Sequence, residues 1–254
     1  MPLDGTLPGS ALAELPERSF SVYLHVPFCR SRCGYCDFNT YTPSELRGIS
    51  TGDYLTAALR EIDLAARVLG GGTPEVDTVF VGGGTPTMLP AGELSRLLDA
   101  IRECFGLVCD AEITTEANPE TVTPEYLRRL REAGFTRISL GMQSAVPHVL
   151  EVLERAHTPG RGIDAARWAR QAGFEHVSLD LIFGTPGESR TDWEKSLEAV
   201  AADLSEGLGG WANPAAQHAS GRRVGAMLAQ ARARLAAASS TTRRRLRSGP
   251  PSVR

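Results

Sequence analysis

The chain has 254 residues, of which 42% are hydrophobic and 22% are charged, a composition typical of a globular protein with a sizeable core. No run approaches the roughly 20 consecutive apolar residues of a transmembrane helix. The first residues also lack the basic start and apolar run of a secretory signal. We therefore expect a cytoplasmic protein without a transmembrane segment.

The net charge of −3 conceals two parts of opposite charge. Residues 1–204 carry 18 basic and 29 acidic side chains, whereas residues 205–254 carry nine Arg and a single acid, Glu206. The second part is rich in Ala, Gly and Ser, and its basic run at 243–247 could touch nucleic acid or an anionic membrane. We expect instead a tail that is disordered or frameshifted and binds no specific nucleic acid.

Strand-like and helix-like segments alternate between residues 20 and 204, after a flexible leader over 1–19. Strands are predicted at 21–26, 78–81, 111–116, 137–140 and 176–183. Helices are predicted at 54–69, 92–105, 124–133, 146–172 with a break near 158–160, and 191–202 with Thr191 as the N-cap. This alternation predicts an α/β fold with a parallel sheet and right-handed crossovers. Because every strand runs into a polar or glycine-rich loop, about five βα units of a partial (β/α) barrel are favoured over a Rossmann sheet.

Three of the five cysteines, Cys29, Cys33 and Cys36, lie on one short loop directly after the first strand. An odd cysteine count without a secretory signal argues against a disulfide framework. Three thiolates on one loop can bind three irons of a [4Fe–4S] cubane and leave the fourth iron open. A zinc site is the alternative, with His25 as a local fourth ligand, although structural zinc sites usually use two separated ligand pairs.

The remaining cysteines and most histidines carry no metal-ligand pattern. Cys104 and Cys109 are interpreted as small apolar residues at a helix end. The histidines at 148, 157, 176 and 218 lack paired ligands at metal spacing and are interpreted as surface or capping residues.

The lead-in to the cysteine loop, Tyr23-Leu-His-Val-Pro-Phe-Cys29, together with the C-x₃-C-x₂-C spacing, resembles the cluster motif of radical S-adenosylmethionine (SAM) enzymes. It is similar to the branch that contains oxygen-independent coproporphyrinogen oxidases and HemW-type haem chaperones. The oxidases carry a further Cys two residues after the third, where this chain has Phe38, so the sequence resembles the chaperones more.

The resemblance covers residues 20–204 and implies a radical SAM core domain over that range. It implies a [4Fe–4S] cluster on the three clustered cysteines, with the open iron chelated by SAM, whose reductive cleavage gives methionine and a 5′-deoxyadenosyl radical. It implies haem or a porphyrin as a further ligand, and as partners haem-accepting proteins and an electron donor such as flavodoxin or ferredoxin. The sixth strand and C-terminal domain of the family are not recognisable after residue 204.

The resemblance also implies which residues contact SAM. They are Tyr23, Tyr35, Gly83, Gly84, Thr85, Glu116, Gln143, Arg155 and Asp180. Judged by the residues alone, Arg155 could instead pair with Glu151 on a helix surface, and the two tyrosines could be core aromatics. Asp180 is the most informative of the set, because a carboxylate inside an apolar strand is costly unless it is paired.

Three functions remain open from the sequence. The first is a [4Fe–4S] and SAM binding protein that transfers haem to acceptor proteins. The second is an enzyme that oxidatively decarboxylates coproporphyrinogen III, which the absence of a fourth cysteine at Phe38 disfavours. The third is a zinc-stabilised binding module without redox chemistry.

Overall fold

A computed structural model describes residues 6–13, 15, 18–46 and 48–205. They contain a five-stranded sheet in which every neighbouring pair of strands is parallel and the strand order follows the chain. The strands are β1 (Phe20–Val26), β2 (Val76–Gly83), β3 (Leu107–Ala117), β4 (Arg137–Gln143) and β5 (His176–Leu181). The predicted alternating α/β fold with a parallel sheet is confirmed.

Helices precede and connect these strands. They are α1 (Gly9–Ala13), α2 (Thr51–Leu69), α3 (Ala91–Phe105), α4 (Pro124–Ala133), α5 (Pro147–Val152), α6 (Arg161–Gln171) and α7 (Arg190–Ser205). Short 3₁₀ turns follow β2 at Pro86–Met88 and β3 at Pro119–Thr121. No helix within these described ranges is long and apolar enough to cross a membrane.

Several element boundaries differ from the prediction. The leader contains the short helix α1, β3 starts four residues before the predicted position, and the long helical region is two helices, α5 and α6. The predicted cap Thr191 is wrong. The cap is Ser189, whose hydroxyl accepts from the Asp192 N–H at 3.2 Å while the Asp192 carboxylate accepts from the Ser189 N–H at 3.1 Å. The expectation for residues 206–254 lies outside the described residues.

The core lies between one face of the sheet and helices α2, α3, α4 and α6. In α3, apolar residues recur at helical spacing and are almost fully buried, namely Leu94, Leu97, Leu98 and Ile101. Helix α4 begins where the Thr123 hydroxyl accepts from the Tyr126 N–H, and it ends at Gly134 with a φ of 110°. Because these helices cover one face of the sheet, polar groups are found on the other face.

Because side chains alternate along a strand, the face opposite the helices carries a different set of residues. The set comprises Tyr23 and His25 of β1, Glu116 of β3, Ser139 of β4 and Asp180 of β5. The carboxyl ends of all five parallel strands meet at one edge of the sheet. Loops that follow the strands therefore converge beside this polar face.

Candidate functional site

The cysteine loop follows β1 and is closed at its base by backbone hydrogen bonds. The Cys29 N–H donates to the Tyr41 carbonyl at 3.0 Å, and the Tyr41 N–H donates to the Pro27 carbonyl at 2.7 Å. Phe28 anchors the loop in the core and is only 5% exposed. All three loop cysteines are free and partly exposed, so their thiols are held on a fixed loop and remain reachable.

One cavity of about 520 Å³ collects the loops at the strand ends. It is lined by eleven of the twelve predicted site residues, namely Cys29, Cys33, Cys36, Tyr35, Gly83, Gly84, Thr85, Glu116, Gln143, Arg155 and Asp180. Tyr23 does not line it. Its ring stacks on Phe80 with centroids 6.0 Å apart, and its hydroxyl lies 3.0 Å from His25 Nδ1.

The glycine turn after β2 packs directly against the cysteine loop. The Gly84 N–H donates to the Val26 carbonyl at 2.8 Å, and the Thr85 N–H donates to the Phe28 carbonyl at 2.7 Å. Gly83 has a φ of 116°. A Cβ at Gly84 would lie 2.6 Å from the Phe28 carbonyl oxygen and 2.9 Å from Cys29 Sγ. Glycine is thus required here, because the turn approaches a thiol more closely than any side chain would allow.

Two carboxylates occupy the polar face of the sheet beside this turn. Glu116 accepts a hydrogen bond from the Gly83 N–H at 3.0 Å, and both Asp180 oxygens lie 3.0 Å from the Ser139 hydroxyl. Burial raises the pKa of both acids, and the charge of Asp180 raises the pKa of Glu116 further. The two carboxyls line the cavity, and an ammonium group bound beside them would favour their ionised forms and donate hydrogen bonds to them.

Arg155 reaches across the cavity from the segment that follows α5. Its Nη1 donates to Cys33 Sγ at 3.2 Å and its Nη2 donates to the Gly141 carbonyl at 2.9 Å. Its Nε is buried and has no hydrogen-bond partner. The alternative of a surface ion pair with Glu151 is wrong, because the guanidinium is turned inward toward the cysteine loop.

Gln143 ends β4 in an unusual conformation. Its φ is +66°, which is rare outside glycine, and the register with β5 shifts between Gly141 and Gln143. Its carbonyl accepts from the Ile182 N–H at 2.9 Å, and the residue is only 9% exposed. The irregular strand end places this residue at the cavity wall.

His157 lines the same cavity, and its interpretation as a surface or capping residue is wrong. Burial, together with the charge of Arg155, lowers the pKa of His157 to about 4. The ring hydrogen bonds the Met142 backbone, whereas its Nε2 is buried without a partner. The signal in the sequence is its position two residues after Arg155, in a segment that closes the cavity.

The zinc alternative receives no support from the donor geometry. His25 has both ring nitrogens occupied, Nε2 by the Asn39 carbonyl at 2.8 Å and Nδ1 by the Tyr23 hydroxyl. Within the part of the chain that the structure describes, no three His, Cys, Asp or Glu side chains are grouped to hold a single metal ion.

The other two cysteines lie away from the site, and their interpretation as apolar helix-end residues needs correction. Cys104 lies in the last turn of α3, and Cys109 lies in β3. Both are exposed, so neither packs as a buried apolar residue. Cys109 is near the amino end of its strand, opposite to the end that bears the cavity.

The sequence profile of the Radical SAM superfamily matches residues 23–200. The chain belongs to the radical SAM superfamily. It is 55% identical over 194 residues to the heme chaperone HemW of Mycobacterium tuberculosis (strain ATCC 25618 / H37Rv), a match that covers 76% of this chain and 49% of that protein. It is 34% identical over 191 residues to the oxygen-independent coproporphyrinogen III oxidase of Escherichia coli, covering 75% of this chain and 41% of that protein.

A solved structure of a relative supports the same branch. The coproporphyrinogen III oxidase HemN from Escherichia coli, described as a radical SAM enzyme, matches with a TM-score of 0.70 and 33% identity. The match covers 76% of this chain and 44% of that chain. This radical SAM chain thus lies in the HemW/HemN-type branch, and it spans about half the length of the curated relatives it matches.

The superfamily implies a [4Fe–4S] cluster and SAM, and the residues present fit both groups. Three thiols lie on one short loop without a local fourth ligand, as a cubane with one open iron requires. The glycine turn packs against Cys29 so closely that a side chain at Gly84 would clash with the thiol. Beside it, the buried Arg155 Nε has no hydrogen-bond partner, and Glu116 and Asp180 add carboxyl oxygens of opposite charge preference, as a zwitterionic ligand requires.

Proposed function

We propose that this chain holds a [4Fe–4S] cluster on Cys29, Cys33 and Cys36, binds SAM beside it, and serves as a haem chaperone that passes haem to acceptor proteins. The observation that carries the proposal is the convergence of the three thiols, the glycine turn and the two acids on one cavity. The 55% identity to a relative named heme chaperone HemW supports the choice within the branch.

Each part of the cavity has a role in this proposal. When bound, the cluster and SAM together supply one-electron chemistry at the SAM sulfonium. Glu116 and Asp180 accept hydrogen bonds from the SAM ammonium group or ribose hydroxyls, and Gln143 offers both a donor and an acceptor. Arg155 pairs with the SAM carboxylate, while the turn at Gly83 and Gly84 lets the ligand approach the backbone.

Cluster binding is coupled to protonation of the loop. Burial raises the pKa of the Cys29 thiol, so this thiol is protonated at neutral pH in the metal-free protein. A cluster binds thiolates, and loading therefore releases a proton from this position. The Thr85 hydroxyl, 4.0 Å from Cys29 Sγ, is placed to stabilise the resulting charge.

Oxidative decarboxylation of coproporphyrinogen III is the second candidate, favoured by the structural similarity to the Escherichia coli oxidase. Phe38 argues against it. It occupies the place of the further cysteine, lines the cavity and is 69% exposed.

We propose a cytoplasmic protein that exchanges haem with acceptor proteins and receives electrons from a flavodoxin or ferredoxin.

Anaerobic reconstitution tests the cluster. We expect about four iron and four sulfide per chain, and a change in the electron paramagnetic resonance (EPR) spectrum of the reduced cluster when SAM is added. Replacing Cys29, Cys33 and Cys36 together with Ala should abolish loading. The matched control replaces the exposed cysteines Cys104 and Cys109 with Ser and should load fully. About one zinc without sulfide would overturn the proposal.

Haem titration and substrate turnover separate the two candidate functions. The chaperone proposal predicts a stoichiometric change in the haem absorption spectrum and transfer of that haem to an apo-haemoprotein. It also predicts no consumption of coproporphyrinogen III by the reduced, SAM-loaded protein. Turnover of coproporphyrinogen III without haem binding would instead establish the oxidase.

A further inference from the structure

Arg155 contacts Cys33 directly, whether or not it also binds a ligand in the cavity. Its Nη1 lies 3.2 Å from Cys33 Sγ, within hydrogen-bond distance for an N–H donor and a sulfur acceptor. Its Nη2 is fixed at the same time by the Gly141 carbonyl, 2.9 Å away. The guanidinium thus bridges the cysteine loop and the end of β4.

The segment that carries Arg155 is held close to the cysteine loop by its own backbone. The Gly34 N–H donates to the Leu153 carbonyl at 3.2 Å, and the Arg155 N–H donates to the Leu150 carbonyl at 2.9 Å. Glu154, between them, has a φ of +54°. A Cβ at Gly34 would lie 3.3 Å from the Glu154 side chain, so the two segments pack with almost no free space.

Glycine at position 141 makes the bridge sterically feasible. A Cβ at Gly141 would lie 2.8 Å from Arg155 Nη2, and the same distance from Gln143 Nε2. Its φ is not in the left-handed region, so an alanine there is compatible with the backbone. An alanine would displace the guanidinium while leaving its charge in the protein, which provides a variant that separates contact from charge.

We propose that Arg155 sets the reduction potential of the cluster through its N–H···S hydrogen bond to Cys33, independently of any contact with SAM. This rests on the proposed function, because it requires that Cys33 ligate the cluster. In the couple concerned, the oxidised cluster gains one electron from a low-potential one-electron donor, and no bond is made or broken. Hydrogen bonds to cluster sulfurs and nearby positive charge both stabilise the added electron.

The test is an EPR-monitored redox titration of the reconstituted chain with dithionite, without SAM. In Arg155→Met, we expect the ratio of reduced to oxidised cluster at a fixed potential to fall about tenfold. That ratio corresponds to a midpoint potential about 59 mV more negative for a one-electron couple. Gly141→Ala should shift the midpoint in the same direction although no charge is lost.

Arg137→Met is the charge-matched control. Arg137 lies on β4 like the Gly141 carbonyl, but its guanidinium contacts Glu112 at 3.1 Å and Ser178 at 3.4 Å. We expect this variant to keep the wild-type midpoint. Equal shifts in the Arg137 and Arg155 variants, or a wild-type midpoint in either Arg155→Met or Gly141→Ala, would overturn the inference. A wild-type chain that takes up no iron and sulfide would overturn the proposed function itself, before any midpoint is compared.

Discussion

Replacing Gly84 with Ala is expected to weaken cluster binding without unfolding the protein. The new Cβ would lie 2.6 Å from the Phe28 carbonyl oxygen and 2.9 Å from Cys29 Sγ. A carbon and a carbonyl oxygen in contact are normally about 3.3 Å apart, so the turn and the cysteine loop must separate by roughly 0.7 Å. The two backbone hydrogen bonds that join them, from Gly84 to Val26 and from Thr85 to Phe28, oppose this separation.

The magnitude follows from which atoms must move. The Phe28 carbonyl is backbone and cannot rotate away, so we expect an overpacking cost of about 1–3 kcal/mol in the free energy of unfolding. For a chain of this size, each kcal/mol lowers the melting temperature by roughly 2–4 °C. Displacing Cys29 should weaken cluster retention about 10–100-fold, the range found when groups that orient metal ligands are lost.

Gly92→Ala is the matched control. Gly92 lies in α3, and a Cβ there meets nothing within 4 Å. Its free energy of unfolding should be unchanged or raised by up to about 1 kcal/mol. Thermal unfolding of the metal-free protein and iron and sulfide analysis after reconstitution measure both effects. Normal cluster retention by Gly84→Ala would refute the reasoning, because the clash would then be relieved without moving Cys29.

Three further outcomes are expected. Asp180→Asn should stabilise the metal-free protein, because ionising this buried acid opposes folding. The gain should grow as the pH rises through the raised carboxyl pKa of Asp180. A pH series of urea melts in which the free energy of unfolding of the variant never exceeds that of the wild type would contradict this. With the pKa of His157 lowered to about 4, the unfolded chain binds a proton that the folded chain does not, so stability should fall between about pH 6.5 and pH 4. His157→Gln should remove roughly 1–3 kcal/mol of this fall in the free energy of unfolding, a range that allows for solvent screening of a half-buried ring. A variant whose melts show the same pH profile as the wild type would contradict the assignment of this fall to His157. Thr123→Ala, which removes the N-cap of α4, should cost about 1 kcal/mol, measured by thermal unfolding against the exposed control Thr56→Ala.

The spacing of apolar residues and the residues that begin and end helices were sufficient to locate most of the helices and strands. The α3 pattern of Leu94, Leu97, Leu98 and Ile101 and the Thr123-Pro124 start of α4 are local signals, and the structure confirms both elements. Boundaries were less predictable. Thr191 and Ser189 both have capping side chains, and the capping box with Asp192 decides between them.

The composition of the cavity could be predicted, but its internal contacts could not. A parallel sheet brings the ends of its strands together, so eleven predicted residues line one cavity. Which partner Arg155 takes depends on the three-dimensional path of the segment after α5, and sequence spacing offered Glu151 as an alternative partner but gave no sign of Cys33. His157 was missed for the same reason, since only the folded chain shows that its ring lines the cavity with Nε2 buried.

The sheet order has a consequence for how the protein assembles during synthesis. Because spatial order and chain order coincide, each new strand can add to the one made just before it, and no earlier pairing has to open. The cysteine loop leaves the ribosome with the first strand, whereas Asp180 arrives with the fifth. The three thiols are thus synthesised well before Arg155 and Asp180, and the cavity that all of them line is complete only once β5 has docked.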